Sequence, residues 1–407
     1  MPSVVFVAPY FLPTTVRFVD AVGELPGVRL GLVSVDGPEK LPAGVRARLA
    51  AHARVQDGLD AGQIAKATRT LAEQIGSPGR LLGALEDLQV PLAEVRERLG
   101  IEGMGVEAAR NFRDKARMKT VLRAAGIPTA AHGLAEDEAT ALAFARDTGF
   151  PLVAKPPAGA GARNTHRLDS EADLRALLAR SQPRPGAPML LEEFITGSEQ
   201  SFDTVSIRGT AVWHSITHYI PGPLEVVENP WIQWCVLLPR EVDSPRYDDI
   251  RRAGTACLHA LGMTTGLSHM EWFRRSRDGS VAVSEVGARP PGAQFTTLIS
   301  YAHDFDLYKA WARLMVFEEF DAPRREYAAG IAFLRGQGKG RVRAIHGLEQ
   351  ASQELGGIVI ESRLPRAGQA PSGTYEGEGY VIMRHPDTGL VERALRRLVS
   401  LIRVELG

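Results

Sequence analysis

The chain has 407 residues, with 48 basic and 48 acidic side chains and a formal charge of zero. That length exceeds what one hydrophobic core usually serves, so two or three packed units are expected. Balanced charge gives no general attraction to nucleic acid or to an anionic membrane, so neither is expected as a partner and binding must depend on a local site.

The cysteines, Cys235 and Cys257, lack metal-ligand spacing, and Cys257 lies on the apolar stripe of a predicted helix. They read as small buried hydrophobes in a reducing cytoplasm. The run Val4–Ala8 is too short for the apolar region of a signal peptide and has no basic residue before it. No apolar stretch reaches the roughly 20 residues that span a bilayer, so the expected location is cytoplasmic.

The first hundred residues alternate short β-branched runs with helical patterns. Val4–Ala8, Val28–Val35 and Arg80–Leu85 read as strands, which predicts a small parallel sheet flanked by helices. Pro9, Tyr10 and Phe11 follow the first strand in place of a Gly-x-Gly-x-x-Gly turn, so a dinucleotide fold is not supported. A scaffolding and substrate-facing role is expected of this unit.

From about Asn111 the texture changes. Met118, Val121, Leu122 and Ala125 fall at helical spacing until Gly126 and Pro128 stop the helix, and a second helix ends at Gly149. Pro151 to Lys155 is a buried-looking strand, followed by a loop rich in glycine and alanine over 156–162. Ser170 caps the next helix, with Asp173 at the capping-box position, and Met189–Phe194 is another strand. Gln200–Ile207 and Thr210–Thr217 read as a hairpin about Arg208 and Gly209. A helix starting at Ser244 and Pro245 ends at Gly262. The strand pair Gly266–Arg274 and Ser280–Val286 follows. After Asp321 come strand Gly330–Arg335, helix Leu348–Leu355, strand Ile358–Leu364 and helix Leu390–Ile402.

Chemistry concentrates at a few positions. Lys115 falls in or just before the first turn of its helix, where the macrodipole disfavours a cation, so another group should hold it there. The plainer reading is a solvated lysine beside Arg113 and Arg117. Lys155 ends an apolar strand that runs into a flexible loop, a poor place for a charge unless an anion meets it. A phosphate fits, with loop N–H groups near Gly159 and Gly161 approaching its oxygens and Lys155 neutralising it. An edge lysine at an ordinary hairpin is the alternative. Glu192, Glu193, Phe194 and Ile195 end the next apolar run, followed by Glu199. Such a segment can line an adenine pocket through its backbone, with a carboxylate on the ribose, though an exposed hairpin end is commoner.

The late strand pair is the most informative. Leu267, His269, Glu271 and Phe273 share one face by strand periodicity, as do Val281, Val283 and Glu285. A two-residue turn at Asp278 and Gly279 would send Glu285 to the wrong face. A three-residue loop of Arg277, Asp278 and Gly279, with Gly279 left-handed, pairs Glu271 with Glu285. Facing carboxylates at Cβ separations of about 5 Å repel unless a cation lies between them, and hard, oxygen-seeking Mg²⁺ shared with ATP phosphates is the natural occupant. Arg289 can steady charge on a reacting carboxylate or phosphate, or serve as a structural ion-pair partner.

This order of parts resembles the ATP-grasp superfamily over the whole chain: a lysine on a helix, a lysine before a glycine-rich loop, an acidic hinge strand, paired carboxylates and an arginine. The resemblance implies an α/β fold, α+β in the ATP-grasp core, in three parts: an N-terminal domain over 1–110, the ATP-grasp domain over 111–320 with a mobile lid at about 125–195, and a C-terminal unit over 321–407 completing the core. It implies that Lys115 and Lys155 contact ATP phosphates, Glu192 to Ile195 bind adenine, Glu199 holds the ribose, and Glu271 and Glu285 bind magnesium, or manganese in its place. Ser268, His269, Met270 and Glu271 look like the Thr-His-Thr-Glu segment of amino-acid ligases and related carboxylate-amine ligases. By that likeness His269 and Arg289 face the acyl-phosphate site, although His269 also reads as a core histidine satisfied by a hydrogen bond. Gly287 stands where the family commonly has asparagine, which removes an oxygen ligand and leaves the number of ions open, and Ala162 replaces a common serine or glycine.

The implied activity is ATP-dependent joining of a small-molecule carboxylate to an amine. The rivals are a biotin carboxylase-like enzyme, whose biotin-attachment segment would then lie on a separate carrier, and a nucleotide-binding protein without turnover. Substrate contacts are expected from loops such as Tyr219 to Trp234, and a homodimer is the default assembly.

Overall fold

The computed structural model describes residues 2–159, 164–229 and 231–407. The N-terminal unit is a parallel sheet of β1 (Ser3–Val7), β2 (Arg29–Ser34), β3 (Leu49–Arg54) and β4 (Pro78–Leu82), in the order β3-β2-β1-β4. Every residue of β1 is buried, because helices cover both faces. Val5 and Val7 pack against Ile64 and Leu71 of helix Ala61–Ile75. Val4 and Phe6 face the other way, onto Phe18 of helix Pro13–Gly23 and Trp311 of helix Leu307–Phe317. The sequence reading omitted β3, whose Leu-Ala-Ala-His-Ala-Arg run has no β-branched residue.

The next unit is an antiparallel sheet of β5 (His132–Ala135), β6 (Leu152–Lys155), β7 (His166–Leu168) and β8 (Met189–Glu193), in the order β5-β8-β6-β7. Helices Glu138–Thr148 and Glu171–Ser181 bury Ala141, Ala145, Leu174, Leu177 and Leu178 on it. Ser170 caps the second helix as expected, accepting from the Asp173 N–H.

The remaining strands are β9 (Gly197–Ile207), β10 (Thr210–Ile220), β11 (Trp234–Leu238), β12 (Gly266–Arg275), β13 (Val281–Gly287), β14 (Ala328–Leu334), β15 (Gly336–Gly338), β16 (Val342–His346), β17 (Val359–Arg363), β18 (Gly379–His385) and β19 (Arg403–Leu406). Eight of them form one antiparallel sheet in the order β13-β12-β9-β10-β11-β14-β18-β17, and β15-β19-β16 form a small separate one. Strands from both sides of residue 321 therefore lie in a single sheet. The β9–β10 hairpin turns on Arg208 and Gly209, both at positive φ, in the geometry that matches strand twist. Helix Asp248–Leu261, opened by the short turn Pro245–Tyr247 and stopped by Gly262, packs its Ile250, Cys257 and Leu258 against Trp272 and Met270 beneath the sheet.

Candidate active site

Alternation along β12 sends Met270 and Trp272 into the core with Val281, Val283 and Val286, and presents His269, Glu271 and Phe273 on the opposite face. Glu271 is the register partner of Glu285. The expected pairing is present, but a three-residue loop does not produce it. Arg275 N–H donates to Ser280 O across the longer loop 276–279, and Gly279 sits at φ 70°. From that start Glu271 would oppose Ser284. A bulge between the Glu271 and Trp272 pairings leaves Ser284 unpaired and returns Glu285 to the Glu271 face. The expectation that Val281 and Val283 share the Glu285 face is corrected accordingly: the bulge separates them, and both valines are core.

Bulging frees the Ser284 carbonyl, and Lys119 Nζ donates to it at 2.7 Å. Lys119 belongs to helix Lys115–Ala124, whose N-cap Asp114 accepts from the Ala116 and Arg117 N–H groups. Lys115, on the first turn, is held as its awkward position requires: Nζ lies 2.8 Å from Glu285 Oε1 and donates to Gly159 O at 2.8 Å. Its N–H donates to Pro157 O at 2.9 Å, which docks the start of the loop after β6 onto the helix. Gly161 and Ala162 lie outside the described residues.

Glu192 is the charge partner of two lysines. Lys155 Nζ stands 3.0 Å from one oxygen and Lys119 Nζ 3.3 Å from the other. Lys119 has no exposed surface, and burial pulls its ammonium down to about 8 against the opposing pull of Glu192. Burial also works against charged Lys155, but Glu192, Glu285 and Glu271 together raise it. Burial by itself would raise Glu192; the two ammoniums reverse that and hold its carboxyl below the usual range.

Glu199, opposite Phe273 on β9, faces the same space. Burial, then the charges of Glu271 and Glu285, push its carboxyl well above the usual range, with Lys155 opposing. Glu271 is lowered: burial acts upward, and His269, Arg289 and Lys115 outweigh it. Glu271 and Glu285, opposed across two strands, offer a pair of oxygen donors that fits a hard divalent cation. Among the described residues no three such side chains are grouped to hold a metal alone, so nucleotide phosphate oxygens would complete its coordination.

The hinge residues divide. The Glu193 side chain is not open to a nucleotide: it takes Arg275 Nη1 at 2.6 Å and the Ala131 N–H at 3.2 Å. Glu193 and Phe194 donate their N–H groups to Ala131 O and Pro151 O, and the Phe194 ring carries the Arg167 guanidinium 4.5 Å from its centroid. Ile195 is buried with Ala130, Ala282 and Phe273 in a small apolar patch beside the site.

His269 is gripped from behind. Its Nδ1 lies 2.6 Å from Asp203 Oδ1, while Nε2 lies 3.5 Å from Tyr219 Oη and 3.8 Å from Glu271 Oε1. Burial opposes its charge, but Asp203 and then Glu271 raise the imidazole to about 9. Arg289 donates from Nε to Glu86 Oε2 at 2.6 Å and from Nη1 to Pro290 O at 3.1 Å. Glu86 comes from the short turn Glu86–Leu88 of the N-terminal unit. A Cβ at Gly287 would lie 2.8 Å from Glu86 Oε2, a physical reason for glycine at that position. In the expected substrate loop, Trp234 is core, 2% exposed, whereas Trp231 is 61% exposed.

Sequence reasoning missed Lys119, Asp203 and Glu86. Lys119 left a signal, since it shares a helix face with Lys115, Met118 and Leu122. So did Asp203, an acid inside an otherwise strand-forming run. Glu86 left none.

The fold is that of ATP-grasp structures. Residues 114–200 match the family model for the ATP-binding domain of the carbamoyl-phosphate synthase L chain. The chain is 27% identical over 230 residues to the L-arginine-specific L-amino acid ligase of Bacillus subtilis, covering 55% of this chain and 54% of that one. It is 24% identical over 328 residues to the uncharacterized protein y4rH of Sinorhizobium fredii, covering 78% and 66%. The crystal structure of L-amino acid ligase from Bacillus licheniformis superposes with a TM-score of 0.79 at 20% identity, over 100% of this chain and 99% of that one. The chain thus has the fold of the L-amino acid ligase structure and is similar in sequence to ATP-dependent ligases. It spans about half to two thirds of the length of these two curated relatives. Among the described residues no helix is long and apolar enough to cross a membrane.

Proposed function

We propose that the protein activates the carboxylate of an amino acid or small peptide-like acid as an acyl phosphate, using Mg-ATP, and transfers the acyl group to an amine. The observation that carries this reading is the convergence of Lys115, Lys155, Glu271 and Glu285 on one face, with each lysine already paired to a carboxylate at 2.8 to 3.0 Å. An arriving triphosphate offers the lysines a stronger anion. The substrate carboxylate attacks the γ-phosphorus, the bond to the bridging oxygen breaks, and its electron pair leaves with ADP. The amine nitrogen then attacks the acyl carbon, loses a proton, and phosphate departs to leave the amide. Arg289, fixed by Glu86, stands to steady the oxyanion of that second step. Magnesium, when bound, supplies neutralising charge to the phosphates, and Glu271 and Glu285 would hold it. Ile195 and its apolar neighbours are the proposed adenine surface, and Glu199 the proposed ribose contact.

The test is ADP release from Mg-ATP across pools of amino acids and other carboxylates, with hydroxylamine present to trap the acyl phosphate. Substrate-dependent ADP together with a hydroxamate, both lost in Glu285→Ala, supports the reading. Stimulation only by bicarbonate with biotin assigns a carboxylase instead, and nucleotide binding without ADP release under any condition assigns a non-catalytic role.

A further inference from the structure

We propose that Asp203 is a positioning residue for amide synthesis, its buried carboxylate fixing the imidazole of His269 so that Nε2 faces the reacting carboxylate. The proposal rests on the acyl-phosphate reading above. Asp203 has no exposed surface and sits within β9, inside the large sheet, where an acidic residue is a poor strand former. A buried carboxylate needs partners, and these are few. His269 Nδ1 stands at 2.6 Å from one oxygen and Ser201 Oγ at 3.1 Å from the other. No lysine or arginine forms an ion pair with it among the described residues, and Arg325 acts on it only at longer range.

With Nδ1 committed, the other ring nitrogen is directed at Tyr219 and Glu271. Phe295 packs edge-on to the imidazole at 5.6 Å between centroids, and Tyr219 meets Phe295 at 5.9 Å and 88°. The ring is thus clamped by charge at one nitrogen and by aromatic edges at its side, leaving Nε2 as its functional end. A carboxylate behind a working imidazole fixes where the ring points and steadies its charge. Nothing in the nucleotide-facing set, Lys115, Lys155 or Glu192, contacts Asp203, so its loss should leave ATP binding intact.

The experiment compares full-length wild type, Asp203→Asn, Asp203→Ala and, to assign the signal, His269→Ala. Proton NMR looks for a far-downfield imidazole N–H, which a short Asp203–His269 hydrogen bond produces, and steady-state assays measure the KM for ATP, hydroxamate yield and amide formed per ADP. The expected result is a downfield signal absent from Asp203→Ala and His269→Ala and shifted in Asp203→Asn. The kcat for amide should fall about 100-fold in Asp203→Ala and roughly tenfold in Asp203→Asn, as misplacement by an ångström does, with the KM for ATP within about twofold. A folded Asp203→Ala with wild-type kcat, or one whose KM for ATP worsens in step with kcat, overturns the proposal, as does a wild-type spectrum without the signal. If wild type yields no hydroxamate from any pool while the signal behaves as expected, the acyl-phosphate reading fails and the Asp203–His269 coupling stands.

Discussion

Replacing Glu192 by glutamine removes the carboxylate shared by two buried ammonium groups. Lys119, with no exposed surface, cannot turn to water for a substitute. It can escape only by releasing its proton, and from the folded value of about 8 that costs about 1.4 kcal/mol at pH 7. This sets a ceiling below the roughly 3–5 kcal/mol that removing one partner of a buried ion pair typically costs, because release of the proton is so near at hand. At pH 9 folded Lys119 is already largely neutral and the ceiling falls to about zero. The sign follows from proton counts: unfolded lysine keeps its proton up to 10.5, whereas folded Lys119 loses it near 8. The unfolded state therefore binds more protons between those values, and stability rises with pH there. Without Glu192 the folded value drops further and that rise starts at lower pH. Urea unfolding followed by tryptophan fluorescence at pH 7 and pH 9 should show a loss from this source of about 1–1.5 kcal/mol at the lower pH and close to none at the higher. Adding Lys119→Met should recover most of the loss at pH 7. A loss above about 3 kcal/mol at pH 7, or an equal loss at both pH values, would refute the reasoning.

Glu271→Gln should abolish Mg-ATP-dependent ADP release and lower the melting temperature by about 2–4 °C without nucleotide at pH 7, because His269, Arg289 and Lys115 lose the carboxylate they hold below its usual range. The stability contributed by ionised Glu271 is present above its unfolded value and is lost as pH falls through the lowered folded one, so the loss on substitution should be larger at pH 7 than at low pH by calorimetry. Gly287→Asn forces the Glu86 carboxylate off its position beside Arg289 and should cost about 1–3 kcal/mol in denaturant unfolding, with the amide yield per ADP falling. Lys155→Met should raise the KM for ATP roughly tenfold or more in a coupled ADP assay while the unfolding midpoint moves little, since Glu192 keeps Lys119.

Periodicity made the architecture legible where segments were long or well capped, as in helix Glu171–Ser181 and the β9–β10 hairpin. It failed at β3, where an alanine-rich run becomes a strand only because β2 and helix Ala61–Ile75 lie beside it. The Glu271–Glu285 pairing was legible for an incomplete reason: sequence shows that the acids must meet if they share an ion, but a loop longer by one residue and a compensating bulge are equivalent to the short loop in that count. Glu86 was invisible because its role depends on how the N-terminal unit docks, a contact between positions 203 residues apart. The Asp203–His269 pair needed the β9–β12 register, which places the two residues directly opposite each other.

The chain enters the four-stranded unit through Pro128 and Thr129 and leaves it through Glu193 to Thr196. Both crossings are fastened to the same hairpin: Val283 N–H donates to Pro128 O at 2.8 Å and Ser276 N–H to Thr196 O at 2.9 Å, with the Glu193–Arg275 pair beside it. Two fastenings on one rigid body define a pivot line. Any rigid rotation of the four-stranded unit moves atoms in proportion to their distance from that line, so Ile195 travels little while positions far from it sweep wider arcs. A group held at the pivot would stay in place as the unit turned, and the hairpin bearing Glu271 and Glu285 would serve as the stationary bearing.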